Sequence, residues 1–288
     1  MTTGTSTGLA DRAAGYRPGH TLPLRVELAR QLRRRRTQVI FAVLFALPFI
    51  VLAAFQLGGT PSGRDRSTFI ALATASGANF AATMLFMGTG FLLVIPMALF
   101  LGDTVAAEAG WSSLRYLLAA PVPRTRLLLN KLAAGLLFSA AAIVLLPLVG
   151  LGVGTAAYGW GDLRLPTGGA LPAGQVLPRL LIAVVFIVLG ELVVGALAFY
   201  LSTVTDAPLG AVGGAVFLAI ITGVLDAITA LGSLREWLPA HWQYSWADAL
   251  QPQLEWGGMI QGTVLSLCYA LILLALAFRG FARKDIVS

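Results

Sequence analysis

A chain of 288 residues with 57% hydrophobic and only 11% charged side chains, at a mean hydropathy of +0.82, is too apolar for a water-soluble fold, which carries about 45–50% apolar and about 25% charged residues. The net charge of +7 does not point to nucleic acid, because the basic residues sit in short clusters beside apolar runs. A single cysteine, Cys268, inside an apolar run excludes a disulfide framework, and two distant histidines, His20 and His241, speak against a metal site.

Residues 1–20 are polar and glycine-rich, which predicts a disordered tail. They lack the apolar core and small-residue cleavage site of a signal peptide. Residues 21–37 place Leu24, Leu28 and Leu32 on a narrow stripe among Arg25, Arg30 and Arg33 to Arg36, the pattern of a basic amphipathic helix at a membrane surface. Residues 38–288 form the membrane domain. Six apolar runs follow, each near the ~20 residues that a bilayer core requires: 38–57, 79–101, 132–158, 177–201, 209–231 and 259–278. Pro48, Pro96 and Pro147 lie within the first three and predict kinks that neighbouring helices must accommodate. Gly88, Gly90, Gly150, Gly152, Gly154, Gly210, Gly213 and Gly214 read as close-packing positions between spans.

Between the second and third runs lies the polar segment 102–131. Ala107, Trp111, Leu114 and Leu118 recur at helical spacing, with Glu108, Ser112 and Arg115 on the other face. Pro121 and Pro123 stop this helix, and Pro123 suits the first turn of the next, which runs through Arg124 and Arg126 into the third run. The loop 232–258 carries Trp237, Trp242, Trp246, Trp256 and Tyr244. Leu238, Trp242, Trp246 and Ala249 keep helical spacing while Pro239 and Pro252 interrupt it. Short helices dipping into one leaflet are expected there.

Basic residues set the orientation. With the N-terminus inside, 15 of the 20 Lys and Arg residues fall on the cytosolic side and 5 outside, so both termini and 102–131 are expected in the cytosol. Two carboxylates fall within the runs. Glu191 lies near the middle of the fourth, where a charge costs about 3 kcal/mol on insertion scales. It reads as a contact for a cationic or hydrogen-bonding substrate, a proton site, or a packing residue. Asp226 lies toward the outer end of the fifth and either joins such a pathway, reaches water or caps an outer helix. No nucleophile, base and orienter can be assembled, and neither Lys131 nor Lys284 has the glycines of a phosphate-binding loop.

The organisation resembles the transmembrane subunits of type-2 ATP-binding-cassette (ABC) exporters. The motif-level likeness runs from Asp103 and Glu108 through Leu114-Arg115, Leu117-Leu118 and Pro121-Val122-Pro123-Arg124 to Lys131. Trp111-Ser112 departs from the Gly-Thr pair common at that place. The likeness covers about 30 residues in motif and the rest in topology. It implies an all-α integral membrane protein with six transmembrane helices and an N-terminal amphipathic helix. It also implies a cytosolic coupling helix between spans 2 and 3, and outer half-helices between spans 5 and 6. The function implied is export of an amphiphilic substrate, with Glu108, Trp111, Leu114, Arg115, Leu118 and Arg124 facing a separate ATP-binding subunit. That subunit would bind ATP and Mg, and this chain no cofactor. The partners implied are the ATPase, a second permease copy or paralogue and the bilayer of a bacterial cell membrane. A proton-coupled transporter using Glu191 and a membrane-embedded lipid enzyme are the alternatives.

Overall fold

The computed structural model describes residues 24–58, 64–110 and 124–283. The expected tail at 1–20, the Pro-Val-Pro corner and residues 111–118 of the expected polar helix lie outside them. The described chain is almost wholly helical, as backbone groups in a bilayer must satisfy one another locally. In order come α1 (Leu24–Leu32), α2 (Arg35–Leu57), α3 (Arg64–Ala73), α4 (Gly77–Thr89), α5 (Val94–Gly110), α6 (Arg124–Tyr158), α7 (Ala173–Gly190), α8 (Leu192–Val204), α9 (Pro208–Asp226) and α10 (Gly257–Arg283). A two-residue hairpin, β1 (Leu163–Arg164) with β2 (Ala170–Leu171), joins α6 to α7. Three 3-10 helices, Thr229–Trp237, Pro239–Trp242 and Ser245–Leu250, join α9 to α10 and form a tryptophan-rich cap. Five helices, with α7 and α8 counted as one, are long and apolar enough to cross a bilayer, and a sixth span results if the bent pair α4–α5 is counted.

The bend in that pair is 51° and falls in the turn before Pro96, as a proline inside an apolar run predicts, because its ring offers no N–H to the Leu92 carbonyl. Pro96 itself stands in the first turn of α5. The chain turns at Gly90–Leu93, with Leu93 N donating to Gly88 O at 3.0 Å. Gly90 lies beneath the cap: a Cβ there would come within 2.5 Å of the Tyr244 hydroxyl.

The core is built on α5, which packs against α6, α8 and α9. Met97 and Leu101 are fully buried there, and Gly195 of α8 lets them approach: a Cβ at Gly195 would stand 2.4 Å from Leu101 Cδ1. One turn further on, the buried Ser202 Oγ accepts from Val105 N and Ala106 N at 3.1 and 2.9 Å. The α4–α6 crossing is closer still, because a Cβ at Gly77 would lie 2.6 Å from Thr155 N. Gly88, Gly150 and Gly154 likewise touch side chains of the opposite helix, whereas Gly152 and Gly213 face open space.

At the end of α4 that begins with Gly77, Asn79 binds the hairpin twice. Its Nδ2 donates to Arg164 O at 2.8 Å and its Oδ1 accepts from Arg164 N at 2.9 Å. Ser76 caps α4 and donates to Asp162 O. In the cap, Trp246, Ala249 and Leu250 are buried against α7, while Trp237 and Trp256 are exposed. The short helices expected in this loop are present, but as 3-10 turns set off by Gly232, whose φ of 53° breaks the first of them. The helix α1 divides its leucine stripe between bundle and surroundings. Leu28 and Gln31 face the bundle, and Leu32 points away with 58% exposure. A polar attraction described next rotates the helix.

Candidate functional site

The end of the bundle that carries α1 holds a belt of charges. Asp103, in α5, is buried and accepts from Arg34 Nη1 at 3.0 Å, and Arg36 pairs with the same oxygen. Lys131, near the start of α6, is 2% exposed. Its Nζ donates to Thr104 O at 3.0 Å and lies 3.9 Å from Glu27 Oε1 of α1. Glu27 also accepts from Arg30 and Gln31. Burial pushes the Glu27 carboxyl up, but Lys131 and then Arg30 outweigh it, and the group sits below its ordinary range. Glu27 and Gln31, one turn apart, therefore turn α1 so that its polar edge faces Lys131 and Leu32 is left outside. Thus α1, α2, α5 and α6 are tied together by ion pairs at the point where 102–131 leaves α5 and returns in α6.

The opposite end has a smaller ionic knot. Asp226, the last residue of α9, accepts from Arg235 Nε at 3.2 Å and meets His241 Nδ1 at 2.7 Å through the same Oδ1. One carboxylate therefore fastens two of the three 3-10 helices to α9. It anchors these turns and is not among the residues lining the interior cavity.

That cavity surrounds Glu191. The residue stands at the junction of α7 and α8, where backbone bonds from Glu191 N to Ile187 O and from Gly195 N to Glu191 O keep the span continuous. Its side chain is 8% exposed, and among the described residues Oε2 has no hydrogen-bond partner. The cavity holds about 60 Å³, room for a few waters at about 10–15 Å³ each. Thr89, Thr222, Gln243 and Ser266 supply its other polar groups, and Trp242 of the cap closes it. A bare carboxyl at this depth is costly to keep, so its retention beside a polar cavity marks the most chemically distinctive place in the bundle.

Residues 39–287 match a protein family described as "Protein of unknown function (DUF2705)". The chain belongs to that family. No curated protein matches it.

In this DUF2705 chain the residues singled out by sequence fall in three groups. Glu191 and Asp226 are placed as described, 35 positions apart in the chain and in separate environments. Glu108 lies in the last turn of α5 and Arg124 opens α6, but their side chains are outside the described set, as are Trp111, Leu114, Arg115 and Leu118 altogether. Asp103 and Lys131 stood in the exporter-like motif without an assigned role, and the structure makes them the two buried charges of the belt. Their partners Glu27, Arg34 and Arg36 were legible only as parts of a basic surface helix. His241 stood out in the sequence only as one of two distant histidines; its pairing with Asp226 had no local signal.

Proposed function

We propose that this chain is the transmembrane subunit of an ATP-driven exporter, embedded in the cell membrane with both termini and residues 102–131 in the cytosol. The observation that carries this reading is the charged belt. Asp103 and Lys131, the acidic and basic ends of the exporter-like motif, are both buried and ion-paired to the first two helices. A segment held so firmly at both roots passes a push on its tip into α1, α5 and α6 without folding away. Two copies, or one copy and a paralogue, assemble with two separate ATPase subunits. ATP-driven closure of those subunits moves 102–131, and the bundle opens a route for an amphiphile. Trp111 and Leu114 supply the apolar anchors in the ATPase groove, Glu108, Arg115 and Arg124 the polar rim, and Leu118 extends the apolar face.

The test is a Trp111→Ala, Leu114→Ala double variant. Loss of one buried aromatic anchor commonly costs about 2 kcal/mol, roughly a thirty-fold loss of affinity. The variant should insert normally, yet fail to co-purify with its ATPase subunit or to stimulate that subunit's turnover. Wild-type co-purification would refute the docking role. One observation favours a second reading: an unpartnered carboxyl in mid-span is also what a proton-coupled transporter needs. Under that reading transport collapses with the proton gradient and needs no ATPase.

A further inference from the structure

The polar groups around Glu191 are biased in one direction. Thr89 Oγ1 donates to Leu85 O at 2.7 Å and Thr222 Oγ1 donates to Ala219 O at 2.8 Å. Each hydroxyl has spent its hydrogen on its own helix and keeps lone pairs to offer the cavity. The single N–H of Trp242 is engaged with Glu236 O at 2.9 Å. Glu191 Oε2 adds an acceptor with no partner. Gln243 and the Ser266 hydroxyl bring donors as well. A wall so rich in acceptors around one carboxylate calls for a guest that donates hydrogen bonds and carries positive charge.

An apolar groove of about 330 Å³ lies next to the cavity, between α8, α9 and α10. Val193, Val194, Ala219, Thr222 and Pro239 line both. Beyond them the groove is walled by Leu197, Leu218 and Ile272 and roofed by Trp237 and Leu238. The head cavity is small and polar, while the groove is several times larger and almost wholly apolar. We infer that cavity and groove together form one binding site for a single-chain cationic amphiphile, its primary ammonium head against Glu191 and its tail in the groove. An ammonium has three donors and no acceptor, which suits Glu191 and the two threonine oxygens. An ordinary anionic lipid would bring its charge against the carboxylate. This inference rests on the exporter reading for its biological sense, since it names the class of substrate carried, but the site itself needs no ATPase.

The test uses the full chain alone in nanodiscs of phosphatidylcholine. A bromine-tipped dodecylamine is titrated in while tryptophan fluorescence is followed, since Trp237 and Trp242 line the site and bromine quenches at contact. The wild type should show a saturable quench. Removing one partner of a buried charge pair weakens binding by at least about thirty-fold, so Glu191→Gln should lose it and Glu191→Asp should keep most of it. Ala219→Phe, which fills the passage between cavity and groove with the carboxyl intact, should also lose it. A bromine-tipped dodecanol should quench wild type and Glu191→Gln alike, without saturation. Equal amine curves for wild type and Glu191→Gln, or an alcohol that competes as well as the amine, would overturn the site and leave a lipid-filled groove. Full affinity in Ala219→Phe would overturn the claim that head and tail share one site, and it decides the matter if Glu191→Gln fails to fold. Because no ATPase is present, these outcomes are independent of co-purification: the exporter reading can fail with the amine still bound, and the amine site can fail with the ATPase still docked.

Discussion

The charged belt makes a quantitative prediction at Asp103. Asp103→Asn keeps the side chain's size and removes the charge that balances Arg34 and Arg36. The Asp103 side chain is 8% exposed, against 26% and 34% for the two arginines. Breaking a fully buried pair costs about 3–5 kcal/mol and an exposed one about 0–1 kcal/mol, so one buried partner with two half-exposed ones puts the loss near 2 kcal/mol. That corresponds to about a thirty-fold shift toward the state in which α1 and its link to α2 are released from the bundle. A nine-residue helix has little stability alone, so its amide protection reports docking. Hydrogen exchange on the full purified chain should therefore show α1 exchanging about thirty-fold faster in Asp103→Asn, with α10 unchanged. A double-mutant cycle with Arg36→Gln should show that most of the loss is shared between the two sites. Unchanged exchange in α1, or a uniform rise across all helices, would refute the idea that Asp103 fastens this corner.

Further outcomes follow from the same geometry. Glu27 has a depressed carboxyl, so its contribution to α1 docking is present above its ordinary value of 4.5 and is lost as the pH falls through the lower folded value. In Lys131→Met the main charge opposing burial is gone, so the acid-induced release of α1, followed by a fluorophore at Arg25→Cys in a background lacking Cys268, should be weaker than in the wild type. Gly77→Ala forces a Cβ within 2.6 Å of Thr155 N, a backbone atom, and should destabilise by about 2 kcal/mol in thermal unfolding. Gly213→Ala, with nothing within 4 Å, should match or exceed the wild type. In a background lacking Cys268, single cysteines at the exposed Thr167 and Ser233 should react with an impermeant thiol reagent on intact cells, and one at Arg25 should not; the reverse pattern would invert the topology.

Much of this fold is written in local patterns, and the parts that are not have a common cause. Apolar run length located the long helices that could cross a bilayer, because a bilayer imposes one length on every crossing helix. Proline position was a partial guide. Pro48 and Pro147 sit inside continuous helices, whereas the sharp bend falls at Gly90–Leu93, in the turn before Pro96, whose ring leaves the Leu92 carbonyl without its helical donor. The charges were legible only in part. Glu191 was visible as the one carboxyl in its run, since the cost of such a residue is a property of its own surroundings. Asp103 and Arg34 are 69 positions apart and Asp226 and His241 are 15, so their pairing depends on which span ends meet. The stripe in α1 shows how the two kinds of information compete. Periodicity alone chose Leu24, Leu28 and Leu32, and a buried lysine on α6 turned the helix toward Glu27 and Gln31 instead. In a membrane the outward face of such a helix loses little by exposing leucine, because lipid covers it. A polar contact inside the protein therefore decides the rotation, where in water the hydrophobic stripe would have decided it.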